Sequence, residues 1–428
     1  MSDLFGLHET SDPEKRHAPK TIFVHAKDTP SVRLPGIKNV REANVDARSH
    51  SRKLMKLMTT RWVLIVALWP CIAAGQNPSI LPVDIEVPFV SPPVSGGGAS
   101  NLVYEIHLRN FWRKDLILTG VDVIDQKTGG VARSISGDEL YESIYKPRRP
   151  DDSSDANLLE CGRVLVFYVW LTFEPSQDLP DRLYHRLVFS VAGSEMQDER
   201  SVDGGVITIP KTDPVKISPP FANGFWLIGS GPSNRSEHRR TVLAVDGRTW
   251  LLQRFAFDAM KVGHDGRMVG GDLATTNNWR SYGQDLLAVA DGVVALVVDD
   301  IPDNIPLSGE RAVPMNRETH VGNCIVLDIG ENRFVLYGHL KKGSMPFNVG
   351  DQVKRGAVIG KVGNSGNSEA PHLHFSIGTR PDPYSAEGLP FVFDSFESVD
   401  IENPGDEALL STGFGAVSIT KAPRTGAR

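Results

Sequence analysis

The strongest constraint on this chain is the recurrence, from Leu102 to Ile377, of short β-branched and aromatic runs separated by Gly, Pro, Asn and Asp turns. Runs of this length read as strands, because turn residues end each one before a helix could repay its nucleation. In the first half they are Leu102–Leu108, Leu116–Ile124, Val164–Phe173 and Tyr184–Val191, and their spacing predicts an immunoglobulin-like β-sandwich over residues 80–212. In the second half they are Leu286–Val298, Asn323–Asp328, Phe334–Leu340, Val349–Val362 and His372–Ile377, predicting an antiparallel β domain over residues 215–400 with its core at 283–378. The expected fold class is all-β. Pro214–Pro232 reads as the bridge between the halves, Lys146–Asp155 as an exposed charged loop, and residues 401–428 as a weakly patterned tail.

A length of 428 residues exceeds what one core organises, which agrees with two folded parts. With 40% hydrophobic and 23% charged residues the chain is of ordinary globular composition. A net charge of -6 without clustered Lys and Arg excludes a nucleic-acid partner.

Lys53, Lys56 and Arg61 precede the apolar run Trp62–Trp69, which is followed by Pro70 and the small residues Ala73-Ala74-Gly75. This is the three-part layout of a secretory signal, and the run is too short to span a bilayer. Residues 55–75 are therefore expected to be a signal peptide cleaved near Ala74, with export to the periplasm or outside the cell and no integral membrane span. Met55 and Met58 stand where a start would make the signal ordinary, so residues 1–54 read as a disordered tail or a mis-assigned start. Cys71, Cys161 and Cys324 make no CxxC pair, so any metal must take His and carboxylate ligands. With Cys71 removed, Cys161 and Cys324 remain, one in each half; two buried free thiols is the default expectation, and the sequence leaves their pairing open.

His372-Leu373-His374 follows the turn Gly363-Asn-Ser-Gly366. Residues two apart on a strand share a face, so both imidazoles should enter one groove, one suited to a metal and one to a proton. His339, in Tyr337-Gly-His-Leu340, is a third candidate. His107 and His185 lie inside sandwich runs and read as structural histidines.

Gln284–Val294, Gly322–Asp328, Tyr337–Leu340, Val349–Gly360, Gly363–Gly366 and Pro371–Phe375 resemble, in the same order, the lysostaphin-type zinc metallopeptidases, the glycyl-glycine endopeptidase family. The resemblance implies an antiparallel β metallopeptidase domain, a zinc cofactor and peptide substrates of bacterial peptidoglycan. It makes His374 a zinc ligand, His372 an adjacent base or transition-state partner, and His339 a group that steadies the oxyanion or bound water. The family's other ligands come from an earlier His-x-x-x-Asp. Gln253–Asp258 supplies Asp258 but puts Arg254 in the histidine's place.

A guanidinium cannot ligate a cation, and catalytic zinc normally takes three protein ligands. His238, in Ser236-Glu-His-Arg239, is the first candidate for the missing ligand, and His264 the second. The alternative is an Arg254–Asp258 ion pair that fills the metal's place, leaving an inactive peptidoglycan- or partner-binding homologue that regulates another hydrolase. Val349–Gly360 also resembles half of a biotinyl or lipoyl carrier, but Lys354 lies between Val353 and Arg355 rather than at a hairpin tip.

Overall fold

The computed structural model describes residues 81–394, apart from 97–98, 147–154, 195–198, 222–223 and 264, together with strands at 397–399 and 419–421. The expected signal segment, most of the charged loop and His264 lie outside the described residues. Almost every regular element is a strand; the α-helix Gly137–Glu142 is one short exception. No helix among the described residues is long and apolar enough to cross a membrane.

The first half is built from two five-stranded antiparallel sheets. One orders Val83–Glu86, Ala99–Asn110, Val164–Phe173 and Ile144–Tyr145, with Val94–Gly96 paired to Ala99–Asn110. The other orders Glu199–Thr208, Arg182–Val191, Leu116–Asp125 and Val131–Ser136, with Leu158–Leu159 on Leu116–Asp125. Leu102, Tyr104, Ile106 and Leu108 from the first meet Leu118, Val121, Leu187 and Phe189 from the second in one core, so the sheets form a sandwich. Arg182–Val191 alternates buried and accessible residues, as a strand with one solvated face must. Ala99–Asn110 does not: Val103, Glu105 and His107, on the face turned away from the core, are buried as well. That face is covered by the second half of the chain.

His185 is a structural histidine, as expected. A carbonyl can only accept, so Nδ1–H donates to Gly205 O at 2.9 Å and Nε2 accepts from the Tyr104 hydroxyl at 2.7 Å. Burial pushes its pKa down to about 4. The unfolded chain, with a histidine near 6.5, takes up the proton first, so this contribution is full above pH 6.5 and is lost as pH falls towards 4. The loss should be on the order of 3 kcal/mol. Urea midpoints for the unmodified chain and His185→Gln between pH 7 and 4.5 test this; equal pH slopes would refute it.

Cys324 is buried but Cys161 is exposed, correcting the expectation of two buried thiols. Cys161 lies in a surface turn tied by its N–H to Asp115 Oδ1, so its position is set by that bond rather than by packing.

The second half centres on a nine-stranded sheet ordered Gln352–Val353, Gly292–Val298, Asn323–Asp328, Phe334–Leu340, Leu373–Gly378, Phe257–Val262, Phe225–Gly229, Ile419–Lys421 and Glu397–Val399. Its core includes Trp226, Phe257, Ile325, Tyr337, Leu373 and Phe375. The pairings within it are antiparallel; Val215–Ile217 with Phe391–Phe393 forms a separate parallel pair. Two expectations are corrected. Leu286–Val298 is two strands, Asp285–Leu287 and Gly292–Val298, broken at residues 288–291, where the chain bends, and joined to different sheets. Pro214–Pro232 is not only a bridge, because Phe225–Gly229 pairs with Phe257–Val262 and buries Trp226.

Candidate metal centre

Three neighbouring strands build the site. Asp258 on Phe257–Val262 lies directly opposite His374 on Leu373–Gly378, which in turn lies opposite Gly338 on Phe334–Leu340. His372 falls one residue before its strand, and its Nε2 still comes within 3.5 Å of Asp258 Oδ1. His339 has φ +60, a left-handed conformation that a non-glycine residue adopts at a cost. It sits where the pairing with Asn323–Asp328 slips, and such bulges re-aim side chains. Its ring thereby stands 4.9 Å from that of His372 and 5.8 Å from that of His374, centroid to centroid.

His238 arrives from outside this sheet. Gly229 pairs with Asp258, so the loop that follows leaves the sheet beside the carboxylate and folds back over it. The fold-back is pinned at Ser230 O, which accepts from Ser236 Oγ at 3.0 Å and from His238 Nδ1 at 3.0 Å. His238 Nε2 then lies 3.4 Å from Asp258 Oδ2, while His374 Nδ1 lies 3.1 Å from Oδ1. Ligand atoms of His238, Asp258 and His374 all fall within 4.8 Å of one another.

Backbone carbonyls fix the tautomers around this cluster. Ser230 O, Ser365 O and Ala370 O take the Nδ1 protons of His238, His339 and His372. The Nε2 atoms of His238 and His372 therefore turn lone pairs towards a carboxylate, an arrangement of acceptors facing acceptors. It is favourable when a cation stands among them or a proton is shared. Burial works against the charge of Asp258, but whenever His238, His372 and His374 carry a proton they more than offset it and hold the carboxyl far below its usual range. Burial also pushes His339 and His374 down, favouring the neutral imidazoles that can act as ligands or accept protons. Two neutral imidazoles and a carboxylate are a donor set that can hold a divalent metal ion.

The turn Gly363–Gly366 carries the carbonyl that orients His339. Gly366 has φ +70, and a Cβ there would lie 2.3 Å from Gly322 N, so only glycine fits. Ser365 Oγ is locked from both sides, donating to Leu340 O and accepting from Asn323 N.

Arg254 does not pair with Asp258. Its guanidinium points the other way, to Glu105 Oε2 and Glu387 Oε2, each 2.9 Å away, and to Gly388 O at 3.2 Å. The ion pair that would have filled the metal's place is absent. Sequence reasoning missed Glu105, whose signal was a lone carboxylate in the apolar run Leu102-Val-Tyr-Glu-Ile-His-Leu108.

Two imidazoles and a carboxylate that could hold a metal ion, with two further imidazoles beside them, thus line an antiparallel β groove. Residues 277–385 match the model described as Peptidase family M23, so the chain carries a Peptidase M23 domain. The matched stretch holds His339, His372 and His374 but stops short of Asp258 and His238. Over 59 residues the chain is 42% identical to Endolysin 2638A of Staphylococcus phage 2638A, covering 13% of this chain and 12% of the relative. Over 80 residues it is 36% identical to the peptidoglycan DD-endopeptidase ShyA of Vibrio cholerae, covering 18% of each. The chain thus matches under a fifth of the length of either relative. Among solved structures, the catalytic domain of lysostaphin from Staphylococcus simulans aligns at 21% identity and TM-score 0.21, covering 37% of this chain and 84% of that one. A zinc-containing peptidase from Vibrio cholerae aligns at 15% identity and TM-score 0.24, covering 72% and 86%.

Proposed function

We propose that this protein is an exported zinc metalloendopeptidase that cuts peptide bonds in the cross-links of bacterial peptidoglycan. The observation that carries the reading is the convergence of His238 Nε2, Asp258 and His374 Nδ1 within 4.8 Å, with His238 already turned by Ser230 O so that its lone pair faces inward. Peptidoglycan as the substrate class draws support from the M23 match and from the names of the two relatives.

His238, Asp258 and His374 would hold the zinc. A zinc ion there supplies a Lewis acid for the scissile carbonyl and acidifies a water. The chain's own residues do the rest. Asp258 balances the positive charge. His372, its Nδ1 proton tied to Ala370 O, keeps Nε2 free to take the proton of the attacking water and pass it to the leaving amine. His339, oriented by Ser365 O, presents its other nitrogen to the same groove as an acceptor that steadies the bound water through one of its protons. Ser368 Oγ lies 3.2 Å from His372 Nδ1, but it is buried against Asn364 Oδ1 and Ala370 O rather than open to the groove, so the nucleophile is water.

Metal content and activity of the purified full chain test this together. The expected result is about one zinc per chain and release of new amino termini from cross-linked peptidoglycan, abolished by a chelator and restored by zinc. A chain that binds no zinc under these conditions refutes the enzyme reading.

A further inference from the structure

The loop that brings His238 to the site is pinned at Ser230 O beside the sheet that carries Asp258 and His374, and is held on its other side by the sandwich. Arg239, the residue after His238, is fully buried against the outer face of the sandwich. Its guanidinium donates to Glu105 Oε1 at 3.1 Å, Tyr104 O at 3.0 Å and Val169 O at 2.9 Å, and lies over the Tyr168 and Trp170 rings. Asn234 Nδ2 donates to Tyr168 O at 3.2 Å, Arg240 Nη2 donates to Glu142 O, and Arg235 pairs with Glu142. The second oxygen of Glu105 takes Arg254, in the turn Leu252–Phe255 that leads into Asp258. One carboxylate on strand Ala99–Asn110 therefore ties down both the loop that ends in His238 and the turn that precedes Asp258.

We infer that Glu105 is a positioning residue of the metal centre: by clamping Arg239 and Arg254 it sets His238 against Asp258, so that the sandwich completes the site. This inference rests on the zinc reading above. The physical ground is that a buried carboxylate and two buried guanidinia add little stability over apolar packing of the same volume, while they fix geometry in three directions at once. Burial opposes the charge of Glu105, and Arg254 and Arg239 outweigh it, so the carboxylate stays ionised. Coupling of this kind runs both ways. Whatever draws the sandwich from the loop withdraws a ligand, and zinc in the site tightens the sandwich onto the loop.

The test uses the full chain and zinc alone. Glu105→Gln keeps shape and removes charge; it should weaken zinc by about 10- to 100-fold, the range of outer-shell partners. Its cobalt-substituted absorption spectrum should shift towards that of His238→Ala. Leu118→Ala opens a cavity in the far sheet of the sandwich and should lower the melting temperature while leaving the zinc Kd and the cobalt spectrum unchanged. If Glu105→Gln does not fold, Arg240→Ala, which removes a half-buried anchor of the same loop, should weaken zinc in the same direction. Unaltered zinc affinity and cobalt spectrum in Glu105→Gln, or in Arg240→Ala where that variant is used, overturn the inference, as does Leu118→Ala weakening zinc as much. Absence of zinc from the unmodified chain is a different result: it removes the metal reading and this inference together.

Discussion

His374→Ala in the full chain should lower zinc affinity by more than the roughly 10- to 100-fold attached to outer-shell partners, and peptide hydrolysis should fall in step. Nδ1 of His374 is buried 3.1 Å from Asp258 Oδ1, and no other nitrogen on Leu373–Gly378 can take its place. His238→Ala should have an effect of the same size, because the loop offers no second imidazole. Arg254→His, which restores the histidine seen in the resembling family, should not rescue His238→Ala, since the residue-254 side chain is turned towards Glu105 and Glu387 rather than the groove. Equilibrium dialysis against buffered zinc, paired with hydrolysis rates, gives the answer. Rescue by Arg254→His would mean that the third ligand comes from the usual position and that the loop is incidental.

The second large effect is expected at the imidazoles that hold no metal. His372→Ala and His339→Ala should each retain about one zinc per chain and lose about 10²- to 10⁴-fold in kcat, the range of general acid–base catalysis, with KM little changed. Zinc stoichiometry must be measured on the same preparations. Loss of zinc in either variant would make that histidine part of the metal cluster rather than of proton transfer.

Much of the site was legible because its parts are local. His372 and His374 are two residues apart at the start of one strand, and both reach the Asp258 side. His339 was legible as a member of Tyr337–Leu340, but not its left-handed backbone, which arises from a slip in pairing with a strand that begins at Asn323. His238 could be named as a candidate because it precedes Asp258 in the same half. The reason that it reaches Asp258, the pairing of Gly229 with that residue, was hidden in a segment whose prolines made it read as a bridge.

The sequence by itself determined the all-β class and most strand positions, because alternation and turn chemistry act within a few residues; the groove histidines were named from His372-Leu373-His374 together with the family resemblance. Tertiary structure alone decided the fate of Arg254. Its sequence neighbourhood offers Asp258, four residues on, as the obvious partner; the structure gives it Glu105, 149 residues away. The same contact explains why Glu105 is buried on the strand face turned away from the sandwich core. A charge in a strand carries no local sign of which distant guanidinium will neutralise it. That pairing follows only when two sheets pack, and burial then makes an unpaired charge too costly to leave.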